Sequence, residues 1–157
     1  MQNKYRTSFI VFMVKTIALL LPFILNAQLN VERFKVAIAS TESKHAGYSA
    51  YNPSTAACGK YQFLWRYIPQ QFKKGYSVQT FLKDSVNQEK LMDHHIQKVL
   101  LPYAILFKSK YPSNLDLFYY ASLIHWQGEY GAEWILKQGR ISNYLYLINK
   151  QFKRYEL

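Results

Sequence analysis

Val36 to Phe63 reads VAIASTESKHAGYSAYNPSTAACGKYQF: an apolar helical stretch closed by an acidic residue, then a polar, turn-rich segment ending in glycine and aromatics. Ile38 lies one turn before Glu42, and Phe34 and Val31 carry the same face backward at helical spacing. The Glu42 side chain therefore points where side chains are being buried. A carboxyl in apolar surroundings resists ionisation, which suits a group that has to deliver a proton near neutral pH. An exposed helix-end glutamate is the plain alternative. The segment Gly59-Lys60-Tyr61-Gln62-Phe63 favours the functional reading, because it sets a small residue, an aromatic and an amide close together.

Outward from this stretch the pattern is helical. Asn30 is placed to cap a helix with Glu32 in its first turn, running through Val31, Phe34 and Ile38 to about Thr41. Gly47, Asn52-Pro53 and Ser54-Thr55 then punctuate the chain between Lys44 and Cys58, where Tyr48, Ser49 and Tyr51 could supply extended residues. Short helices are expected from Phe63 to Phe72, disturbed by Pro69, and from Val78 to Lys83. Asp84 or Ser85 opens a longer one, with Ser85 and Gln88 fitting a capping box. Its inner stripe is Val86, Met92, Ile96, Val99 and Leu100, and Pro102 ends or kinks it.

Asn114 caps the clearest helix, in which Leu115, Phe118, Tyr119, Ser122, Leu123 and Trp126 recur at helical spacing until Gly128 stops it. A short helix from Gly131 to Lys137 ends at Gly139. Ser142 begins a last one with Ile141, Leu145, Ile148 and Phe152 on one side. The expected fold class is mainly α, a single domain with a small irregular β or loop excursion after the first helix.

The 157 residues suit one domain, and with half of them apolar and 17% aromatic a core is available without disulfides or metal. The single cysteine, Cys58, has no internal partner. Lys4, Arg6 and Lys15 make a basic start, Ile17 to Leu25 an apolar run, and Asn26-Ala27 a small-residue end before Gln28. Residues 1–27 thus read as a secretory signal peptide and 28–157 as the exported domain, periplasmic or extracellular. The apolar run is short for a membrane span of about twenty residues, although Phe9 to Val14 could extend it into an uncleaved anchor. Removing 1–27 takes away three positive charges and no negative one, so the balance falls from +11 to +8. The basic residues are scattered. The densest groups, Lys73-Lys74 and Lys150 to Arg154, read as solvated helix faces, and no nucleic-acid partner is expected.

Several of these residues resemble the core of the lysozyme-like lytic transglycosylases, a group that includes soluble lytic transglycosylases and goose-type-lysozyme-like proteins. They are the pair Glu42-Ser43, the loop with Asn52-Pro53-Ser54, and the Gly-x-x-Gln pattern from Gly59 to Gln62. His125-Trp126-Gln127-Gly128-Glu129-Tyr130-Gly131-Ala132 is similar to the His-aromatic-x-Gly-x-x-Gly-Ala form of some members, where others carry Ala-Tyr-Asn-x-Gly. The resemblance covers roughly the whole exported part and implies a lysozyme-like domain that binds peptidoglycan glycan strands and needs no cofactor. It also implies cleavage of the bond between N-acetylmuramic acid and N-acetylglucosamine with one essential acid, Glu42. Ser43 is expected near the substrate's acetamido group, Gly59 where the backbone approaches a sugar, and Gln62 against an N-acetyl group. Tyr48 would flank the cleft, and Tyr61 or Phe63 would pack the strand beneath the Gln62 contact, or serve as ordinary core aromatics. His125 stands where a tyrosine usually does and would influence the acid. Trp126 either continues the inner stripe or joins Gln127 and Gly128 on the cleft floor. Such small enzymes commonly open the wall for an envelope-spanning machine or a phage.

The chemistry of the residues agrees with a one-acid scheme, since no Asp or Glu lies between Glu42 and Asp84 to serve as a loop-borne second carboxylate. The rivals are a hydrolytic lysozyme, a non-catalytic peptidoglycan-binding or assembly module, and a cationic envelope protein that binds nucleic acid or lipid by charge. Asp93-His94-His95 is a poor metal set, because adjacent histidines on a helix point about 100° apart.

Overall fold

The computed structural model describes residues 30–44, 46–113, 116–139 and 150. The expected signal segment 1–27, the cap at Asn114 with Leu115, and the last helix on Ile141, Leu145, Ile148 and Phe152 lie outside the described residues. The chain divides into two compact units, Met1–Phe34 and Lys35–Leu157, where the sequence placed the boundary after residue 27. Of the first unit the described part is the helical turn 30–34, in which Phe34 is fully buried. The second unit is mainly helical with one small sheet.

Helix α1 occupies 30–42, so Asn30 is already helical and does not stand outside as a cap. Ala37, Ile38 and Ala39 are buried, as the stripe required. The helix ends where Lys44 turns left-handed at φ 51°. Residues Gly47–Ser49 then form a single 3-10 turn, which removes Tyr48 and Ser49 from the expected extended set.

The excursion that follows is an antiparallel sheet of three two-residue strands, β1 (Tyr51–Asn52), β2 (Ala57–Cys58) and β3 (Phe63–Leu64), in that order. Tyr51 pairs with Cys58, and Cys58 with Phe63. The first connection is tied by its own polar side chains, Asn52 Oδ1 accepting from Ser54 N at 3.1 Å and Thr55 Oγ1 from Ala57 N at 3.3 Å. The expected helix from Phe63 is therefore a strand, a 3-10 turn (Trp65–Tyr67) and a one-turn helix α2 (Gln70–Lys73) after Pro69. Cross-strand pairing of Phe63 overrides its local helical spacing.

Helix α3 (Val78–Phe81) carries the capping box of this region, Ser77 with Thr80. Asp84, not Ser85, caps α4 (Ser85–His95) through Asn87 N, which leaves Gln88 for the core. Val86 is 61% exposed, and the buried stripe runs instead through Gln88, Leu91, Met92, Ile96 and Leu100. Cys58, Ile68, Phe81 and Leu91 form one buried cluster, with Trp65 edge-on to Phe81 at 5.6 Å.

Pro102 does not end the helical path. A π turn, Ile96–Leu100, widens the ladder just before it, with Leu101 N bonded to Ile96 O, and α5 (Leu101–Lys110) continues. Helix α6 (Leu117–Lys137) is capped by Asp116, whose carboxylate accepts from Phe118 N at 2.9 Å. Gly128, at φ 68° and ψ 174°, splits it into two helical pieces. Tyr120 to Ile124 are all buried, so the middle of α6 is enclosed on every side and carries no single inner stripe.

Gly59 is held at φ 78°, and a Cβ there would lie 2.3 Å from Gln88 Oε1. The buried Gln88 amide accepts from Lys60 N at 2.9 Å and donates to Tyr48 O and Phe81 O. Replacing Gly59 with Ala should cost about 3 kcal/mol, combining left-handed strain with overpacking. Gly47→Ala, also at positive φ but with open space around its Cβ direction, should cost about 1 kcal/mol. Urea unfolding of the two variants checks the difference.

Candidate functional site

Glu42 is half-buried at the C-terminal end of α1. From α6, His125 comes close enough for the Glu42 charge to favour its protonated form. His125 Nε2 lies 3.1 Å from the backbone carbonyl of Tyr61, and its ring stands edge-on to Phe63 at 5.6 Å and to His95 at 5.6 Å. A carbonyl can only accept, so neutral His125 carries its proton on Nε2 and presents a lone pair at Nδ1. That Nδ1 is buried with no hydrogen-bond partner among the described residues. Burial pushes the imidazole of His125 below its ordinary range, against the opposing pull of Glu42 and the Tyr61 carbonyl. His95 is driven down to about 3, first by burial and then by the neighbouring His125 and His94.

A second constellation adjoins the same turn. Glu89 of α4 accepts from Tyr48 Oη at 2.7 Å, from Tyr61 Oη at 2.8 and 2.9 Å, and from Lys60 Nζ at 2.8 Å. Lys35 of α1 reaches its other oxygen at 2.7 Å and also Asp93 at 2.9 Å. Burial alone would raise the Glu89 carboxyl, but the hydrogen bonds from Lys35, Lys60, Tyr48 and Tyr61 outweigh it and hold it down to about 2. Burial likewise disfavours charge on Lys35 and Lys60, yet their bonds to Glu89 raise both above the ordinary lysine range. The ammonium of Lys60 also lies over the rings of Tyr48 and Tyr61, 4.9 and 5.2 Å from their centroids.

The structure thus sets His125 against Tyr61 and Phe63, within reach of the Glu42 charge, and gives other expected site residues different work. The Ser43 hydroxyl donates to Ala39 O at 3.0 Å inside its own helix, so its hydrogen is spent there. Gly59 faces the Gln88 amide in the interior; a sugar cannot approach on that side. Gln62, left-handed at φ 51°, donates from Nε2 to Gly59 O at 3.0 Å and braces the turn. Tyr48 is tied to Glu89 through its hydroxyl. Trp126 is 41% exposed and does not continue an inner stripe. Gln127 is exposed and its side chain occupies the space a Cβ on Gly131 would need. Gly128 is the break in α6.

Asp93 pairs with Lys35, His94 leans on Phe72 and His95 on Phe63, so the three adjacent residues address different neighbours. Among the described residues no cluster of His, Cys, Asp or Glu is arranged to hold a metal. The Cys58 thiol bonds to Phe63 O, and burial pushes it up to about 11, away from nucleophilic use.

Sequence reasoning missed Glu89, Lys35 and Lys60. A signal for Lys35 was present: it sits three residues before Ile38 and seven before Glu42, on the inward face of α1, where a lysine needs a buried anion. Nothing local marks Glu89, whose partners come from residues far away in the chain. No protein-family model matches this chain, no curated protein resembles it significantly, and no solved structure matches its fold.

In nitrogen-15 spectra His125 should appear as the Nε2–H tautomer, and an Nδ1–H signal would contradict the hydrogen bond to Tyr61. Acid should weaken the fold in a defined window. Below pH 6.5 unfolded His95 and His125 take up protons that the folded forms refuse, and below 4.5 unfolded Glu89 does the same. These three contributions are therefore complete above pH 6.5 and decline on acidification, through His95 down to about 3, through His125 from 6.5 downward, and through Glu89 from 4.5 down to about 2. Urea midpoints that stay flat from pH 8 to 3 would contradict this.

Proposed function

We propose that the chain is an exported peptidoglycan lytic enzyme with a lysozyme-like arrangement, cleaving the β-1,4 bond between N-acetylmuramic acid and N-acetylglucosamine. The observation that carries the reading is the meeting of Glu42 with His125 and the Gly59–Phe63 turn, three pieces that the sequence singled out separately. Glu42 donates its proton to the bridging oxygen as the glycosidic bond breaks, and the substrate's own acetamido oxygen assists at the anomeric carbon. The Glu42 carboxylate then takes the proton from the muramyl 6-hydroxyl, whose oxygen closes a 1,6-anhydro ring. No water is consumed.

Support for a one-acid scheme comes from the fate of Glu89. This carboxylate is brought to the same turn, yet its oxygens are occupied by two ammonium groups and two phenols. It stays charged and committed, which suits holding the turn rather than attacking an anomeric carbon. His125, whose burial disfavours the charged form, offers Nδ1 as an acceptor within electrostatic reach of Glu42. The net positive charge, +8 after removal of residues 1–27, draws such a protein toward the anionic wall by an attraction that salt weakens.

The full chain incubated with purified peptidoglycan should release anhydro-muropeptides detectable by mass spectrometry. Fragments with reducing ends would assign a hydrolase, and their complete absence from acid to neutral pH would favour glycan binding without cleavage. Glu42→Gln keeps the shape of the side chain without a transferable proton. Release should fall by about 10²–10⁴-fold while the thermal midpoint is unchanged, and equal activity would remove Glu42 from the mechanism.

A further inference from the structure

A cleft of about 320 Å³ opens between α5 and the second half of α6, walled by Tyr103, Leu106 and Phe107 on one side and Glu129, Tyr130 and Glu133 on the other. Its volume is at the lower end of small-molecule sites. Tyr130 is 83% exposed, and Trp134, four residues on, is 57% exposed. Four residues of helix place the two rings on one face with a rise of about 6 Å between them, comparable to one pyranose unit.

The charges at the cleft are balanced once Lys137, one turn beyond Glu133, is counted with Lys110 of the wall. Tyr103 hydrogen-bonds Glu129. Glu133 takes Lys110 as an ion-pair partner and a hydrogen bond from Tyr111 Oη at 3.1 Å, with Lys137 at 3.7 Å. Two carboxylates thus meet two ammonium groups in a chain that is otherwise strongly basic. A nucleic acid or an anionic lipid needs uncompensated cations, which this place does not offer. A cationic ligand finds Glu133 already neutralised and Glu129 engaged by the Tyr103 hydroxyl. What fits is an uncharged ligand with apolar C–H faces to lie on the rings and hydroxyls to donate to remaining carboxylate lone pairs.

We infer that this cleft, together with Tyr130 and Trp134, is an accessory binding site for the uncharged N-acetylated pyranose units of a β-1,4 glycan. The choice of sugar rests on the glycan-processing reading above; the aromatic and charge-balanced character of the cleft does not. His125 lies five residues before Tyr130, on the piece of α6 before the break at Gly128, so the Glu42 neighbourhood and this cleft sit on consecutive helical pieces.

The test is calorimetric titration of the full-length Glu42→Gln chain with N-acetylglucosamine tetramer, alone and with Tyr130→Ala and Trp134→Ala combined. Both positions are exposed, so the thermal midpoint should hold. Affinity should drop at least tenfold in the combined variant and return when Tyr130→Phe replaces Tyr130→Ala, because the ring remains. Affinity unchanged within twofold would overturn the site. So would concentration-dependent dimerisation abolished by the same pair, since the face would then belong to a second copy. Binding that needs Tyr130 and Trp134 without any wall cleavage by the parent would sustain the inference and refute the reaction. Cleavage with binding indifferent to both residues would do the reverse.

Discussion

The Glu89 carboxylate is the point on which the region around the candidate site is assembled. It gathers Lys35 from α1, Tyr48 from the 3-10 turn, and Lys60 and Tyr61 from the turn between β2 and β3. Removing one partner from such a cluster leaves charge stranded in a partly buried place, a larger loss than the bond itself. The two ammonium groups and Asp93 make the cluster close to neutral as a whole, so its burial is tolerable. The phenol of Tyr61 belongs to this cluster and its carbonyl belongs to His125, so one residue joins the ionic clamp to the aromatic group around Phe63.

That division of labour separates holding from acting. A buried carboxylate with several donors is fixed in one charge state, and its oxygens are committed to the groups it gathers. Glu89 and Glu42 sit on opposite sides of this division, one in an ion cluster and the other near His125. The turn from Gly59 to Phe63 serves both: Lys60 and Tyr61 point their side chains to Glu89, while the backbone of Tyr61 and the ring of Phe63 face His125.

How much of this could be read in the chain depends on the range of the interactions. The buried face of α1, the break at Gly128 and the helix from Val78 follow local rules, and they stand in the structure as spacing required. Phe63 went astray because a strand partner five residues back across the turn outweighs helical spacing, and its pairing with Cys58 is invisible to a periodicity count. Gln88 looked like half of a capping box, yet its amide serves Tyr48 O, Phe81 O and Lys60 N from three segments. Of the site, Glu42 and His125 were legible as motif pieces. Ser43 and Gly59 were expected beside the substrate, and the contacts that hold them are internal ones no motif shows: the hydroxyl bonds its own helix and the glycine yields space to an amide.

A lone thiol is a hazard wherever the surroundings are oxidising. An exposed unpaired cysteine there couples to another copy or to a passing thiol. Cys58 lies fully enclosed in the middle strand of the sheet, its sulfur turned to Phe63 O, so exchange chemistry must wait until β2 and β3 separate. Three two-residue strands thereby act as a cover over the sulfur.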